Sequence, residues 1–322
     1  MQTFRLHHPN DIKLTDIEES ATAIGFFDGL HRGHQSVIDE MSRIAEEKGL
    51  KKAVMTFDPH PSVVLNPKQQ RTTYVTPLDV KLDMLEKKGI DYCFIIHFSS
   101  SFASLDPDYF VQEYIIGSRI NTLIAGFDFT YGYKGRGNIN TLADYDEFTV
   151  RVIDKCECSG SEAKISTTKI REDLSEGNIQ DVNDALGRTY SVSGLVVQGE
   201  KRGRTIGFPT ANIESEYRYF LPRNGVYAVT LRLNNEGTLL KGVCNVGVKP
   251  TFHDSAVKPS IEVHLFDFDR SIYGESVTVY WHEFIRDEKK FNGIEELVAQ
   301  ITKDKDTAET LLSEVSLSEP AV

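Results

Sequence analysis

The sequence contains little cysteine and no long apolar run, and both shortages exclude classes of protein. Four cysteines among 322 residues are too few and too scattered for a disulfide framework, so we expect a cytoplasmic location. Cys156 and Cys158 form a CxC pair without a second pair, which we interpret as incidental. No stretch approaches the ~20 apolar residues that span a bilayer, and the first residues lack the apolar core of a signal peptide. We therefore expect no membrane partner.

Positive charge is also scarce. The chain has 36 lysines and arginines against 48 aspartates and glutamates, a formal net charge of −12. Because general nucleic-acid-binding proteins present a basic surface, we expect no nucleic-acid partner. A local basic pocket for a polyphosphate is compatible with this balance. The sequence has no Gly-Lys dipeptide, which excludes a P-loop as the means of holding phosphates.

The length suits two domains, and the two halves of the sequence differ in rhythm. In the first half, apolar strands alternate with helical segments, which predicts an α/β domain with a parallel sheet covered by helices on both faces. Ligands of such sheets bind beyond the carboxyl ends of the strands. The predicted strands are Thr22–Phe27, Ala53–Phe57, Tyr92–His97, Thr122–Phe127 and Phe148–Ile153. The predicted helices are one that carries His31 and His34 in its first turn and ends at Lys48-Gly49, Asp79–Lys88 and Asp106–Ile116.

The second half is dominated by short strands. After a polar helical connector at Ile170–Arg188, β-branched and aromatic segments alternate with turn signals such as Asn224-Gly225. This pattern predicts a small antiparallel β-barrel with closing helices. The predicted strands are Tyr190–Val197, Val226–Leu233, Thr238–Val246, Ser260–Phe266 and Ser276–Trp281, and the predicted helices are Gly293–Lys303 and Thr307–Val315.

The segment Gly25–His34 leads from a strand through an Asp-Gly turn into a helix. Its two histidines, His31 and His34, are three residues apart and so share one face beside the free N–H groups of a helix N-terminus. The helix dipole and these N–H groups favour a phosphate there. A pair of surface histidines is the alternative, and zinc is disfavoured because no third ligand is near. The ordered strand, turn and histidines favour nucleotide binding.

Two other segments suit the same ligand. Ser166, Thr167 and Thr168 precede Arg171, whose planar guanidinium matches phosphate oxygens; an ordinary N-cap with a solvated charge is the alternative. Ser166-x-x-Lys169 also fits a β-lactamase motif, but its companion motifs are absent. The loop Gly126–Gly132 offers Asp128 to a ribose or base, and a solvated aspartate is an equally good interpretation.

These segments resemble, in order, the motifs of the FAD synthetase module of the nucleotidyltransferase superfamily. Gly203–Asn212 resembles the signature of riboflavin kinase. Further segments that resemble these two modules are Phe57–Pro61 in the first half and Asn224–Tyr227, Asn245–Gly247, Glu262–His264 and Phe284–Phe291 in the second. The order of modules is that of the bacterial bifunctional riboflavin kinase/FAD synthetase family. Tyr131 is one departure, since the family often has Phe there.

The resemblance implies a Rossmann-like nucleotidyltransferase domain over residues 1–185, acting as FMN adenylyltransferase, and a riboflavin kinase barrel over residues 186–322. The barrel would phosphorylate riboflavin with ATP to give FMN, and the first domain would transfer an adenylyl group from ATP to FMN, giving FAD and pyrophosphate. The implied ligands are ATP, Mg²⁺, riboflavin, FMN and FAD, and only small molecules are expected as partners.

The resemblance also assigns residues to these reactions. For the adenylyltransferase, ATP binding falls to Gly25, Phe27, Asp28, Gly29, His31, His34, Asp128, Ser166, Thr167, Thr168 and Arg171, of which His31, His34 and Arg171 are catalytic. For the kinase, ATP or flavin binding falls to Gly203, Arg204, Gly207, Pro209, Thr210, Asn212 and Arg286, with Thr210 and Asn212 as Mg²⁺ ligands. Glu262 is the expected general base, although Ile261 and Val263 on either side would equally suit an outward, solvated charge. A solvated position is the alternative for Arg286 as well.

Two other functions are compatible with parts of the pattern. The first half could act on another phosphorylated substrate with the barrel as a docking module, but Gly203–Asn212 argues against this. A flavin-sensing regulator that binds RNA is disfavoured by the net charge and by the lack of basic residues interleaved with aromatic ones.

Overall fold

The computed structural model of the chain describes residues 1–10, 14–68, 70–153, 165–199, 202–234, 236–237, 239–249 and 258–315. It divides into two compact units, Met1–Thr167 and a second that begins at Thr168. The CxC pair and the predicted first residue of a strand, Thr238, lie outside the described residues.

The described part of the first unit contains a six-stranded parallel sheet, which confirms the predicted α/β fold. The strands of this unit are β1 (Gln2–Leu6), β2 (Ser20–Ile24), β3 (Lys51–Asp58), β4 (Tyr92–His97), β5 (Ile120–Gly126), β6 (Thr130–Tyr131), β7 (Gly137–Asn138) and β8 (Thr149–Ile153). The order in the sheet is β1-β4-β3-β2-β5-β8, and β6 and β7 form a separate antiparallel pair.

Helices cover both faces of this sheet. Val54 packs into one apolar core with α1, and its neighbour Met55 packs into another on the opposite face, as the alternation of side chains along a strand requires. The helices are α1 (Arg32–Lys48), α2 (Ser62–Leu65), α3 (Leu78–Lys87), α4 (Ser100–Ala103), α5 (Pro107–Phe110), which continues as a π-helical turn at Val111–Ile116, and α6 (Ile139–Leu142).

Two strand predictions of the first half need correction. Strand β2 ends at Ile24 and not at Phe27, because Phe27 has a positive φ of 55° that no extended strand accommodates. Strand β1 was not predicted from the sequence. It is a five-residue edge strand with largely exposed side chains, so its pattern carries little apolar signal.

The topology brings three loops together. Strands β3 and β5 flank β2, so the loops that follow these three strands start at neighbouring positions on one edge of the sheet. They contain Gly25–His31, Pro59–Pro61 and Gly126–Gly132. The chain continues from β2 to one side and returns at β5 on the other, which is the type of switch point where α/β sheets bind ligands.

The second unit contains a closed antiparallel barrel in the order β10-β13-β12-β11-β14-β9, as predicted. Its elements are α7 (Thr167–Glu176), α8 (Ile179–Leu186), β9 (Ser191–Val197), α9 (Arg202–Thr205), β10 (Ala211–Glu214), β11 (Gly225–Leu233), β12 (Leu239–Lys249), β13 (Lys258–Leu265), β14 (Ser276–Arg286) and α10 (Ile294–Leu311). The short strand β10 was not predicted. Helix α10 is continuous, whereas two helices were predicted, because nothing between Lys303 and Thr307 breaks it and Asp304 is on its buried face.

Alternation along β13 separates two environments. Ile261 and Val263 are buried in the barrel, and Glu262 and His264 between and after them are half-buried on the opposite face. Helix α10 packs on the outside of the barrel, where Ala308 joins Val226 and Val243 in a small apolar core. The half-buried residues of β13 therefore lie where a cavity outside the barrel wall is possible.

Candidate active sites

The two histidines of the first unit lie together at the start of α1. His31 is the N-cap residue, and its ring stacks on that of His34 with centroids 3.6 Å apart and 18° between the planes. The predicted shared face is therefore present. Phe27 packs edge-on against His34, with centroids 5.2 Å apart. The two imidazoles therefore lie together at the N-terminus of α1, and His34 packs against the Phe27 ring.

The capping contact fixes how His31 can act. Its Nδ1 accepts a hydrogen bond from the backbone N–H of His34 at 3.3 Å, so Nδ1 must carry a lone pair. In the neutral ring the proton is then on Nε2. His31 can therefore donate a hydrogen bond through Nε2, which suits a phosphate oxygen.

Asp28 anchors the turn before α1. It is buried, its Oδ1 accepts from the Thr76 backbone N–H at 2.9 Å, and its carbonyl accepts from Thr167 Oγ1 at 3.0 Å. The turn needs unusual backbone, because Phe27, Gly29 and Leu30 all have positive φ. A Cβ on Gly25 would lie 2.9 Å from the Phe27 ring. Asp28 thus acts here as a structural anchor of the loop.

Lys81 lies beneath this loop and was missed in the sequence. It is only 2% exposed, and its Nζ donates to the Phe26 carbonyl at 2.7 Å and to Thr56 Oγ1 at 3.2 Å. A signal was available, because Lys81 interrupts the apolar stripe of α3 at helical spacing between Leu78 and Leu85. Burial lowers the pKa of the Lys81 ammonium to about 8.

The remaining predicted residues of the adenylyltransferase are distributed over both units. Ser166 and Thr167 belong to the first unit, and Thr167 contacts the Asp28 turn. Asp128 is exposed in the loop after β5. Thr168 and Arg171 belong to the second unit, where the Arg171 guanidinium lies 3.9 Å from the centroid of the Phe220 ring. Helix α7 begins at Thr167, so the threonines are in its first turn and not before it.

Described residues of the second unit line two neighbouring cavities. One has a volume of about 820 Å³ and is lined by Arg204, Gly207, Arg270 and Lys305, among others. The other has a volume of about 300 Å³ and is lined by Gly203, Glu262 and Arg286, among others. Phe208, Thr210 and His264 line both cavities. The segment that ends at Thr210 is therefore the partition between them.

Glu262 lies in a row of polar residues across three strands. It pairs in register with Asn212 on β10 and with Asn245 on β12, and residues directly opposite on neighbouring strands share a face. Glu262 and Asn245 both line the smaller cavity. A side chain on Gly199 would place its Cβ 2.3 Å from Asn212 Nδ2, so glycine is needed there for the amide.

The partition has a tight backbone. The Phe208 N–H donates to the Gly203 carbonyl at 2.9 Å, and a Cβ on Gly203 would lie 2.3 Å from the Phe208 carbonyl oxygen. Gly207 has a φ of 88°. His264 braces the segment, because its Nδ1 is 2.8 Å from the Pro209 carbonyl and burial lowers the pKa of its imidazole. A neutral His264 donates this hydrogen bond.

Arg286 is held in place and is not a solvated charge. Its guanidinium binds the Asp304 carboxylate through Nε and Nη2, at distances of 2.6–3.1 Å, and Nη1 donates to the Asp287 carbonyl at 2.8 Å. Gln300 donates to Asp304 Oδ1 at 2.8 Å. Asp304 is 3% exposed. Helix α10 thus fixes an arginine in the wall of the smaller cavity.

Comparisons with known proteins match the two units in succession. The family described as FAD synthetase matches residues 13–169, and the family described as riboflavin kinase matches residues 186–312. A curated bifunctional riboflavin kinase/FMN adenylyltransferase from Listeria monocytogenes is 45% identical over 308 residues, 95% of this chain and 96% of the relative. The protein of the same name from Bacillus subtilis is 44% identical over 309 residues, 96% of this chain and 97% of the relative.

A solved structure from Streptococcus pneumoniae is similar over both units. It is described as a macrolide-efflux protein, with a TM-score of 0.85 and 31% identity, and the match covers 96% of this chain and 99% of that one. The described residues of the present chain include no helix with the length and apolar character needed to cross a membrane.

Proposed function

This chain belongs to the family of bifunctional riboflavin kinase/FMN adenylyltransferases, and we propose which of its residues perform the two reactions. The first reaction phosphorylates riboflavin with ATP to give FMN and ADP. The second joins FMN to the adenylyl group of another ATP, giving FAD and pyrophosphate. We assign the second to residues 1–185 and the first to residues 186–322, which contain the respective family matches. The riboflavin kinase match argues against a barrel that serves only for docking.

For adenylyl transfer, we propose that the polyphosphate lies at the N-terminus of α1. A phosphate oxygen of FMN attacks the α-phosphorus of ATP, the bond to the β-phosphate breaks, and pyrophosphate leaves. His31 and His34 donate hydrogen bonds to phosphate oxygens as charge develops on them. The loop Gly25–Gly29 shapes the pocket and Asp28 holds that loop. Asp128, Ser166, Thr167, Thr168 and Arg171 keep their predicted roles in binding ATP.

For phosphorylation of riboflavin, we base the assignment of the site on the segment Gly203–Thr210, which separates the two cavities. ATP in the larger cavity and riboflavin in the smaller would meet at Thr210, which lines both. Glu262 accepts the proton of the flavin hydroxyl as its oxygen attacks the γ-phosphorus, and ADP leaves. Gly203, Arg204, Gly207 and Pro209 shape the phosphate loop, and the fixed Arg286 orients the acceptor.

We also propose Mg²⁺ as the metal of the kinase. The Thr210 hydroxyl and the Asn212 carbonyl are hard oxygen donors that suit this ion. The glycine at Gly199 leaves room for the Asn212 amide beside Glu262. Among the described residues, no cluster of three or more His, Cys, Asp or Glu forms a protein-only metal cage, and Mg²⁺ normally relies on substrate phosphates for its other ligands. Bound there, it would neutralise phosphate charge. A cytoplasmic location remains our prediction.

The first experiment is product analysis. We expect purified protein with riboflavin, ATP and Mg²⁺ to form FMN first and FAD afterwards, measured by chromatography of the flavins. Protein that forms no FMN would contradict the kinase assignment. Protein that forms FMN but never FAD would contradict the adenylyltransferase assignment.

Two substitutions test the residue assignments. His31→Ala should lower FAD formation from FMN by about 10²-fold or more and leave FMN formation from riboflavin nearly unchanged. Glu262→Ala should have the opposite effect when FMN is supplied. Each activity serves as the control for the other variant. Equal loss of both activities in one variant would indicate misfolding or a shared site and would refute the assignment.

A further inference from the structure

Lys81 is a buried cation that neither reaction uses. Its side chain comes from α3 and reaches the underside of the loop between β2 and α1. Among the described residues it forms no ion pair; the carboxylates of Asp28 and Asp58 act on it at longer range. A buried ammonium is costly unless its surroundings compensate for lost hydration. Its presence at this position therefore calls for a role.

The contacts of Lys81 converge on one backbone carbonyl. Phe26 O accepts from Lys81 Nζ at 2.7 Å and from Thr56 Oγ1 at 2.9 Å. The ammonium also lies 4.6 Å from the centroid of the Phe26 ring, a cation–π distance. Phe26 is thus held through both its carbonyl and its ring.

Phe26 is the first of three alternate carbonyls that are tied to the protein. The Asp28 carbonyl accepts from Thr167 and the Leu30 carbonyl from Gln35 Nε2 at 2.8 Å. Within this stretch Phe27 and Leu30 have positive φ, a conformation that non-glycine residues keep only when the surroundings impose it. The Phe26 carbonyl is held by a charged donor, Lys81 Nζ, and such hydrogen bonds are roughly twice as strong as neutral ones.

We propose that Lys81 is a positioning residue for adenylyl transfer, whose ammonium clamps the Phe26 carbonyl and so sets the loop that presents His31 and His34. This proposal rests on the assignment of the adenylyltransferase site to that loop. Lys81 does not touch the substrates, so its effect is exerted through Phe26.

The test compares Lys81→Met with Lys87→Met. Methionine has a similar length without the charge, and Lys87 is an exposed residue of the same helix. We expect Lys81→Met to lower kcat/KM for FAD formation by about 10- to 100-fold and to leave riboflavin phosphorylation unchanged. Lys87→Met should change neither. His31→Ala assayed in parallel shows whether the site itself is correctly assigned, independently of Lys81.

The stability of the Lys81→Met variant distinguishes a positioning role of Lys81 from a purely structural one. Phe26 O keeps Thr56 as a donor in Lys81→Met, and the substitution removes a buried ammonium whose desolvation is unfavourable. We therefore expect the thermal midpoint of the first unit to be unchanged or higher while FAD formation falls. A lower midpoint that accounts for the lost activity would overturn the proposal.

The pH dependence of FAD formation tests whether the charge of Lys81 is required. The Lys81 pKa of about 8 is below the ordinary 10.5, so between these values the unfolded chain binds more protons and stability rises with pH. The native ammonium loses its charge around its own pKa, between about pH 7 and about pH 9. The charged or titratable groups that face it are Asp28, Asp58, the Cys93 thiol, whose pKa burial raises to about 12, and, across the Phe26 ring, His60 and Tyr74.

We expect the ratio of wild-type to Lys81→Met activity in FAD formation to fall between about pH 7 and about pH 9. A constant ratio would refute the role of the charge. Should Lys81→Met fail to fold, Thr56→Val removes the other donor to Phe26 O without any charge. It should lower FAD formation in the same direction and spare riboflavin phosphorylation; an unchanged rate of FAD formation would contradict the clamp.

Discussion

Lys81 is a buried cation and Arg286 a half-buried one, and their charges are compensated in different ways. Arg286 has a carboxylate partner, Asp304, in a bidentate ion pair. Among the described residues, Lys81 contacts a carbonyl, a hydroxyl and an aromatic ring. Asp304→Asn leaves Arg286 without its counter-ion, whereas Lys81→Met removes the cation itself. At the residue scale, stability and activity are therefore expected to respond differently at the two positions.

Asp304→Asn should lower the free energy of unfolding of the barrel by about 1.5–3 kcal/mol, because the half-buried Arg286 would lose the charged acceptor of its hydrogen bonds. Trp281 is the chain's single tryptophan and is fully buried in the barrel, so its fluorescence during urea unfolding reports on this unit. Riboflavin phosphorylation should fall as well, since Arg286 lines the smaller cavity. Asp306→Asn, on an exposed part of the same helix, should leave both unchanged. Equal midpoints for the two variants would contradict this prediction.

At the scale of elements, short connecting segments position the candidate residues of both proposed sites. The loop after β2 presents the histidines, and the segment Gly203–Thr210 divides the two cavities. Both have glycines where a side chain would clash or where φ is positive. The strands and helices supply the fixed ends between which these segments are held.

Gly203→Ala should lower kcat/KM for riboflavin phosphorylation by about 10²-fold, because its Cβ would lie 2.3 Å from the Phe208 carbonyl oxygen and must displace the partition. Steady-state assays with riboflavin and ATP measure this. Gly237→Ala is the matched control, since no described heavy atom lies within 4 Å of the Cβ that it would add. FAD formation from FMN should be normal in both variants. A fully active Gly203→Ala enzyme would mean that the partition is not part of the kinase site.

At the scale of the whole molecule, one chain carries two nucleotide-dependent reactions. The family matches divide between the two units, and the proposed polyphosphate positions differ in architecture. One is a helix N-terminus beside a parallel sheet, and the other is a glycine-containing segment outside a barrel. A common nucleotide site for both reactions is not expected.

Calorimetry with a non-hydrolysable ATP analogue and Mg²⁺ should therefore give two binding sites per chain. His31→Ala should weaken one of them and leave the other intact. Thr210→Val should affect the other site, because Thr210 lines both cavities of the barrel unit. A stoichiometry of one with the unmodified chain, at saturation and with flavin present, would contradict two separate sites.

The sequence predicted the class of each half well, because the periodicity of buried residues differs between a covered parallel sheet and an antiparallel barrel. Central strands such as β4 match their predicted bounds, since buried strands are continuous apolar runs. Two strands that lack such a run were not predicted. Strand β1 is an exposed edge and β10 has only four residues, so neither has enough apolar pattern to be recognised.

The sequence by itself determined which chemical groups are available and which lie close along the chain, such as His31 and His34 on one helical turn, because local spacing sets local geometry. Only the tertiary structure decided which distant groups meet. Lys81 reaches Phe26 from 55 positions away, and Asp304 reaches Arg286 from 18 positions away. Such contacts depend on how the elements pack. Packing is a property of the whole core, so neither residue alone indicates that the contact forms.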